Sequence, residues 1–205
     1  MNTTHRCGLA LVLACALPLS MAAEPPATGA PAMTAEQKAM MDAWTKAGTP
    51  GAEHARLGEQ LAGTWNATMS MWMDPAAPPM TETGTSTNSM VLDGRHVHMA
   101  FKGQFMGQPF TGFGTTGYDN TLRRYTSTWV DNMSTAVMIA LGDYDAATGT
   151  YTFRSEMADP AAGGKPIPIR ETLQIIDADN HVMEMFETRD GAEARTMRIE
   201  YRRAK

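Results

Sequence analysis

Cysteine is almost missing from this chain. Its two cysteines, Cys7 and Cys15, both lie near the start. That start has the layout of an export signal. Arg6 supplies a weakly basic beginning, Leu9 to Leu19 an apolar run, and Ser20-Met21-Ala22-Ala23 a small-residue cleavage site. Cleavage after residue 23 leaves a chain without a thiol, which excludes disulfide cross-links and thiolate catalysis. The expected location is the periplasm or the exterior of a bacterial cell. The apolar run is shorter than the roughly 20 residues that cross a bilayer, so no membrane span is expected. It also continues past Cys15 through Leu17 and Leu19, unlike a lipoprotein-type processing site.

Basic charge is also scarce. Seventeen Lys and Arg face 22 Asp and Glu, for a net charge of -5. The pairs Arg123-Arg124 and Arg202-Arg203 are the densest basic spots. A nucleic-acid interface needs a basic face, and an anionic membrane surface attracts basic clusters, so neither partner is expected. The motif inventory of common enzymes is missing as well. There is no nucleophile elbow, phosphate loop, zinc-hydrolase motif or dinucleotide fingerprint. No helix follows the Gly112-Phe113-Gly114 stretch, so it reads as strand. The sequence indicates no catalytic residue and no cofactor.

What is present is a globular balance of 43% hydrophobic and 19% charged residues in 205, enough for one domain with a core. Residues 24–33 are rich in Pro, Ala and Gly and read as a flexible lead-in. Thr34 and Gln37 form a capping-box pattern for a helix over 35–47, with Gly48 and Pro50 ending it. Met40, Met41 and Trp44 share a stripe on that helix. The stripe is expected to pack on the main body or to dock a second copy or another partner. A second helix spans 52–62, with His54, Leu57 and Leu61 on one face. Residues 34–62 therefore form a helical segment.

At Gly63-Thr64-Trp65 the period changes from helical to two. Trp65, Ala67, Met69, Met71 and Met73 alternate with polar residues. Further strands are expected at 81–92, 95–105, 109–118, 124–130, 136–143, 150–157, 167–176, 182–187 and 194–203. Turn signals such as Asp93-Gly94 and Asp190-Gly191 separate them. About ten short strands with no intervening helix predict an all-β fold. The expected architecture over 63–205 is a closed or nearly closed antiparallel up-and-down β-barrel, preceded by one or two short helices.

Several of these residues also resemble a known family. Glu53-His54-Ala55-Arg56-Leu57, Leu61-Ala62-Gly63-Thr64-Trp65, Met71-Trp72-Met73-Asp74-Pro75, Gly117-Tyr118-Asp119, Ser127-Thr128-Trp129 and His181-Val182-Met183-Glu184-Met185 occur in an order similar to the bacterial domain of unknown function 1579 family. The resemblance covers roughly 33–203. It implies a calycin-like, lipocalin-like barrel, with a Gly-x-Trp at the first strand and a basic residue near the chain end over that Trp. Gly63-Thr64-Trp65 matches the first part, and Arg202 or Arg203 the second. The resemblance brings no established activity.

If Trp65 points inward, so do Met69, Met71 and Met73, with Val97/Met99/Phe101 and Met197/Ile199/Tyr201 as further inward rows. A ten-stranded barrel is wide enough for a small ligand, and 18 methionines offer adaptable apolar walls. A barrel filled with those same side chains is the competing reading. Tyr125, Ser127, Trp129 and Asp131 share one face, and Arg170 and Glu184 are candidate polar anchors. The expected ligand-facing set is thus Trp65, Met69, Met71, Met99, Phe101, Tyr125, Trp129, Asp131, Arg170, Glu184 and Tyr201. Two metal readings are weaker. Met69/Met71/Met73 and Met183/Met185 are soft ligands for Cu(I), and His96-x-His98 places two imidazoles on one strand face. Both patterns are explained without a metal, and no metal site is expected. Haem ligation of the kind found in similar ten-stranded barrels lacks a histidine after His181. The leading function is binding of a small, largely apolar molecule. The alternatives are an envelope interaction protein with a filled barrel, and, behind that, an enzyme using a carboxylate at the barrel mouth.

Overall fold

The computed structural model describes residues 32–205. The expected signal at 1–23 and most of the lead-in lie outside the described residues. No helix among the described residues is long and apolar enough to cross a membrane.

Two helices come first, α1 (Ala35–Gly48) and α2 (Ala52–Leu61). The capping box of α1 forms as expected, with Thr34 and Gln37 exchanging side-chain and backbone hydrogen bonds. The expected packing of its apolar stripe on the body does not occur. α1 buries no residue, and Trp44 is 72% exposed. The reason is placement. Asn120 Nδ2 donates to the carbonyls of Ala47 and Thr49, which fixes the end of α1 beside one strand turn and leaves the helix itself off the barrel. α2 does the opposite and buries His54, Leu57 and Leu61. Gly51 N–H donates to His54 Nδ1, so this histidine caps its own helix.

Ten strands follow: β1 (Gly63–Met71), β2 (Met80–Val91), β3 (His96–Phe105), β4 (Gln108–Asp119), β5 (Arg124–Asp131), β6 (Met138–Asp145), β7 (Thr150–Asp159), β8 (Lys165–Ile175), β9 (Asn180–Arg189) and β10 (Ala192–Arg203). Each pairs antiparallel with its neighbours in sequence, and β1 pairs with β10 to close the barrel. Met73 falls just beyond β1 and is exposed, so the inward row of that strand ends at Met71.

Closure depends on one cluster. Trp65 is fully buried and donates its indole N–H to the Leu61 carbonyl at 2.9 Å. Asn88 donates to the same carbonyl, and Ser86 donates to Asn88. These bonds satisfy a carbonyl left open at the C-terminus of α2. Arg203 lies 4.1 Å over the Trp65 ring and donates to the Ala62 and Ala178 carbonyls. Of the two basic residues that the sequence offered for this place, Arg203 occupies it. Gly63 has φ +130, and a Cβ there would strike the Arg203 guanidinium, so no larger residue fits.

Leu57 and Leu61 join Val97, Tyr125, Tyr151 and Phe153 in a packed floor at the end of the barrel that α2 covers. A second apolar cluster around Trp65 includes Met69, Met71, Phe101 and Ile199.

Replacing Arg203 with Ala strips two backbone carbonyls of a charged donor and uncovers Trp65. The expected loss is about 2–4 kcal/mol of unfolding free energy, because orphaned polar groups and lost cation–π contact act together. Arg203→Lys restores only part, since one ammonium cannot reproduce the guanidinium fork. Trp44→Ala, on the unpacked helix, changes stability by less than about 0.5 kcal/mol. Urea unfolding followed by far-UV circular dichroism measures all three.

Candidate ligand cavity

Strand alternation decides which residues meet inside the barrel. The pairings Ala67↔Tyr201, Met69↔Ile199 and Met71↔Met197 carry the inward row of β1 onto β10. Tyr201↔His181, Ile199↔Met183 and Met197↔Met185 carry it onto β9, and Ile175↔His181 and Glu171↔Met185 onto β8. Large rings lie flat across neighbouring strands where glycine makes room. A Cβ on Gly112 or Gly114 would collide with the Trp129 ring, and one on Gly84 would collide with Phe101.

The interior is not filled. A void of about 520 Å³ opens between the packed floor and the far end of the strands. Eight methionines line it, Met69, Met99, Met183 and Met197 among them, with Phe101, Phe105, Phe110 and Trp129. Its mouth is formed by Met133, Ser134, Ala136 and Val137 of the β5–β6 loop and by Glu156 to Ala158 near the end of β7. Asp131 shapes that loop. Its Oδ2 accepts from the Trp129 indole at 2.9 Å, and its Oδ1 accepts from the Met133 and Ser134 backbone N–H groups.

The expected ligand-facing residues divide three ways. Met69, Met99, Phe101, Trp129, Asp131 and Tyr201 border the void. Trp65 and Met71 are buried in the apolar cluster at the barrel closure, and Tyr125 lies in the floor with its hydroxyl accepting from Arg56 at 2.8 Å. Arg170 and Glu184 are on the outer face. Arg170 forms a forked pair with Glu193 and stacks 3.9 Å over Phe186. Glu184 accepts from Arg195 and Arg198. Both are therefore surface ion pairs rather than interior anchors.

The cause of the Glu184 correction is a β-bulge between Arg195 and Met197. The pairing starts as Ala192↔Arg189 at the turn. Continued without the bulge, it would set Met197 opposite Glu184. The inserted residue moves Met197 opposite Met185 instead and reverses the parity of the hairpin. For Arg170, period two along β8 turns the neighbouring Glu171 inward.

Ser127, which shares its face with Trp129 and Asp131, borders the void as they do, but sequence reasoning passed over four other polar residues that face it: Asn88, Thr116, Glu171 and His181. The signal that finds them is register, since His181 and Glu171 follow from Tyr201 once the bulge is placed. Glu171 is half-buried, and the void touches it. Burial pushes its carboxyl up to about 7. His181 sits 4.2 Å from the Trp65 ring and 4.5 Å from Tyr201, and its Nδ1 has no hydrogen-bond partner among the described residues. Burial, aided by the Arg203 charge, holds its pKa down to about 4. Burial and then the Glu171 carboxylate raise the Tyr201 hydroxyl. His96 and His98 alternate with Val97 and Met99 and point outward. Among the described residues, no group of three or more His, Cys, Asp or Glu side chains is placed to hold a metal ion.

A family model described as "Protein of unknown function (DUF1579)" matches residues 49–203. No curated protein matches the chain. Among solved structures, the crystal structure of Rv2717c from M. tuberculosis is similar, with a TM-score of 0.55 at 13% identity over 76% of this chain and 100% of that one. A redesigned β-barrel is matched at a TM-score of 0.39 and 13% identity, over 77% of this chain and 100% of that one. At such identities these likenesses concern the fold alone.

The two buried ionisable groups oppose each other in their effect on stability. Glu171 binds its proton more tightly folded than unfolded, so its contribution is lost as pH rises from 4.5 towards about 7. His181 binds its proton less tightly folded, so its contribution is lost as pH falls from 6.5 towards about 4. Between pH 4.5 and 6.5 the two slopes cancel. Glu171→Gln should make stability rise with pH across that window, and His181→Phe should make it fall, each by on the order of 3 kcal/mol relative to the parent. Chemical denaturation at stepped pH gives both slopes.

Proposed function

Because the chain belongs to the Protein of unknown function (DUF1579) family, whose description assigns no activity, we propose a function from the cavity itself: the barrel binds a small, largely apolar molecule. The observation that carries this reading is the void of about 520 Å³ lined by thioethers and aromatic rings. Its size falls within the range of small-molecule sites. A well-packed barrel of this width would instead close on its own side chains, as the floor does. Unbranched thioethers adapt their shape, so the walls suit a ligand with a flexible hydrocarbon body. A ten-carbon chain buried there gains on the order of 8 kcal/mol of transfer free energy before the cost of association. That places binding in the micromolar to millimolar range. The export segment in the sequence supports a location in the periplasm or outside the cell.

A second reading rests on α1. Met40, Met41 and Trp44 are each more than half exposed on a helix that buries nothing. Such a stripe suits a partner helix or a second copy of the chain.

Native mass spectrometry of the protein purified from its own host discriminates the two. The expected result is a monomer carrying a small molecule of a few hundred daltons in part of the population. Met183→Trp, which places a large ring in the void, should abolish that adduct while leaving the protein folded. An adduct-free mass together with a dimer that Trp44→Ala dissociates would replace the first reading with the second.

A further inference from the structure

The charges around the void are of one sign. Asp131, Glu156 and Glu171 border it, and among the described residues no lysine or arginine does. The basic residues of the neighbouring strands are engaged elsewhere. Arg170, Arg195 and Arg198 pair with carboxylates on the outer face. Arg203 is held at the floor by backbone carbonyls.

The three carboxylates differ in what they have left to offer. Asp131 accepts three hydrogen bonds that fold the mouth loop. Glu156 is exposed at the mouth. Glu171 lies midway along β8 on its inward face, bordering the void, with the Tyr201 hydroxyl near enough to feel its charge. Phe153 and Met185 flank it on the adjacent strands, and Leu173 follows it on the inward row of its own strand. None of these supplies a donor. A half-buried carboxylate with no cation beside it is costly, and it becomes favourable when a cation with hydrogen-bond donors joins it.

We propose that the ligand is an apolar amine, whose ammonium group pairs with the Glu171 carboxylate while its hydrocarbon body lies along the methionine wall. The proposal rests on the cavity-binding reading above and adds the ligand's charge to it. An ammonium brings three donors and a compensating charge. The aromatic rings between mouth and Glu171, Phe105, Phe110 and Trp129, offer faces that attract a cation on its way in. A carboxylate ligand of the same length meets the reverse. Its head would face Glu171 with no basic residue on the wall to pair with it, a like-charge contact in a medium of low dielectric.

The test uses the full chain at pH 8 and three probes of equal length: decylamine, decan-1-ol and decanoic acid. Isothermal titration calorimetry reads their affinities. The expected order is decylamine about tenfold tighter than decan-1-ol, a charge-assisted pair being worth at least 1.4 kcal/mol over a neutral contact, with decanoic acid weakest. Glu171→Gln should remove the preference for the amine over decan-1-ol. Glu171→Met, an apolar replacement of similar length, serves if the Gln variant fails to fold. Decanoic acid binding as tightly as decylamine, or an amine preference that survives both variants, would overturn the proposal and leave the cavity reading in place. Failure of all three probes to bind would remove the cavity reading and the proposal together.

Discussion

The contact of Arg203 with Trp65 is the constraint on which the rest of the molecule depends. It joins the first strand to the last. A sheet of ten strands has two edges, and each edge exposes a row of unpaired backbone groups. Pairing β1 with β10 removes both at once. The arginine fastens that seam from below, by bonding Ala62 before β1 and Ala178 before β9. The tryptophan, buried beneath it, returns its indole N–H to the end of α2. Helix, first strand and last strand are thus tied through two side chains.

With the seam fixed, the interior follows. The inward parity of β1 passes from strand to strand by register, and each inner position is either packed into the floor or left bordering the void. The floor is dense with aromatic rings: Tyr125 and Tyr151 meet edge to face at 4.9 Å, and Tyr151 stacks on Phe153. Towards the mouth thioethers join the rings of Phe105, Phe110 and Trp129 and the space opens. The same chain therefore builds a rigid base and an adaptable wall. The difference comes from which residue type occupies the inward positions at each height.

Much of this was legible in the sequence. The change of period at Trp65 marked where helix gives way to strand, and the turn signals set the number of strands. The inward rows Val97/Met99/Phe101 and Met197/Ile199/Tyr201 follow from alternation, which is local. What was not legible depended on register between strands, which is not local. The bulge in β10 reverses one hairpin, so Glu184 lies outside and His181 inside. Nothing in the composition around Arg195 marks that irregularity. The free surface of α1 escaped for a related reason. An apolar stripe has the same spacing whether or not a neighbour covers it, and the hydrogen bonds from Asn120 that hold the helix end aside join residues more than seventy positions apart in the chain.

The up-and-down order gives the barrel a polarity. β1 begins beside α2, and β10 ends beside it, since Ala204 N–H donates to the Thr64 carbonyl. The described chain therefore enters and leaves the barrel at the same end, while the mouth lies at the opposite one. A surface or fusion partner joined at either side of the described segment would hold the barrel by its base, with the opening directed away from the point of attachment. Two such barrels joined in series would keep both openings clear.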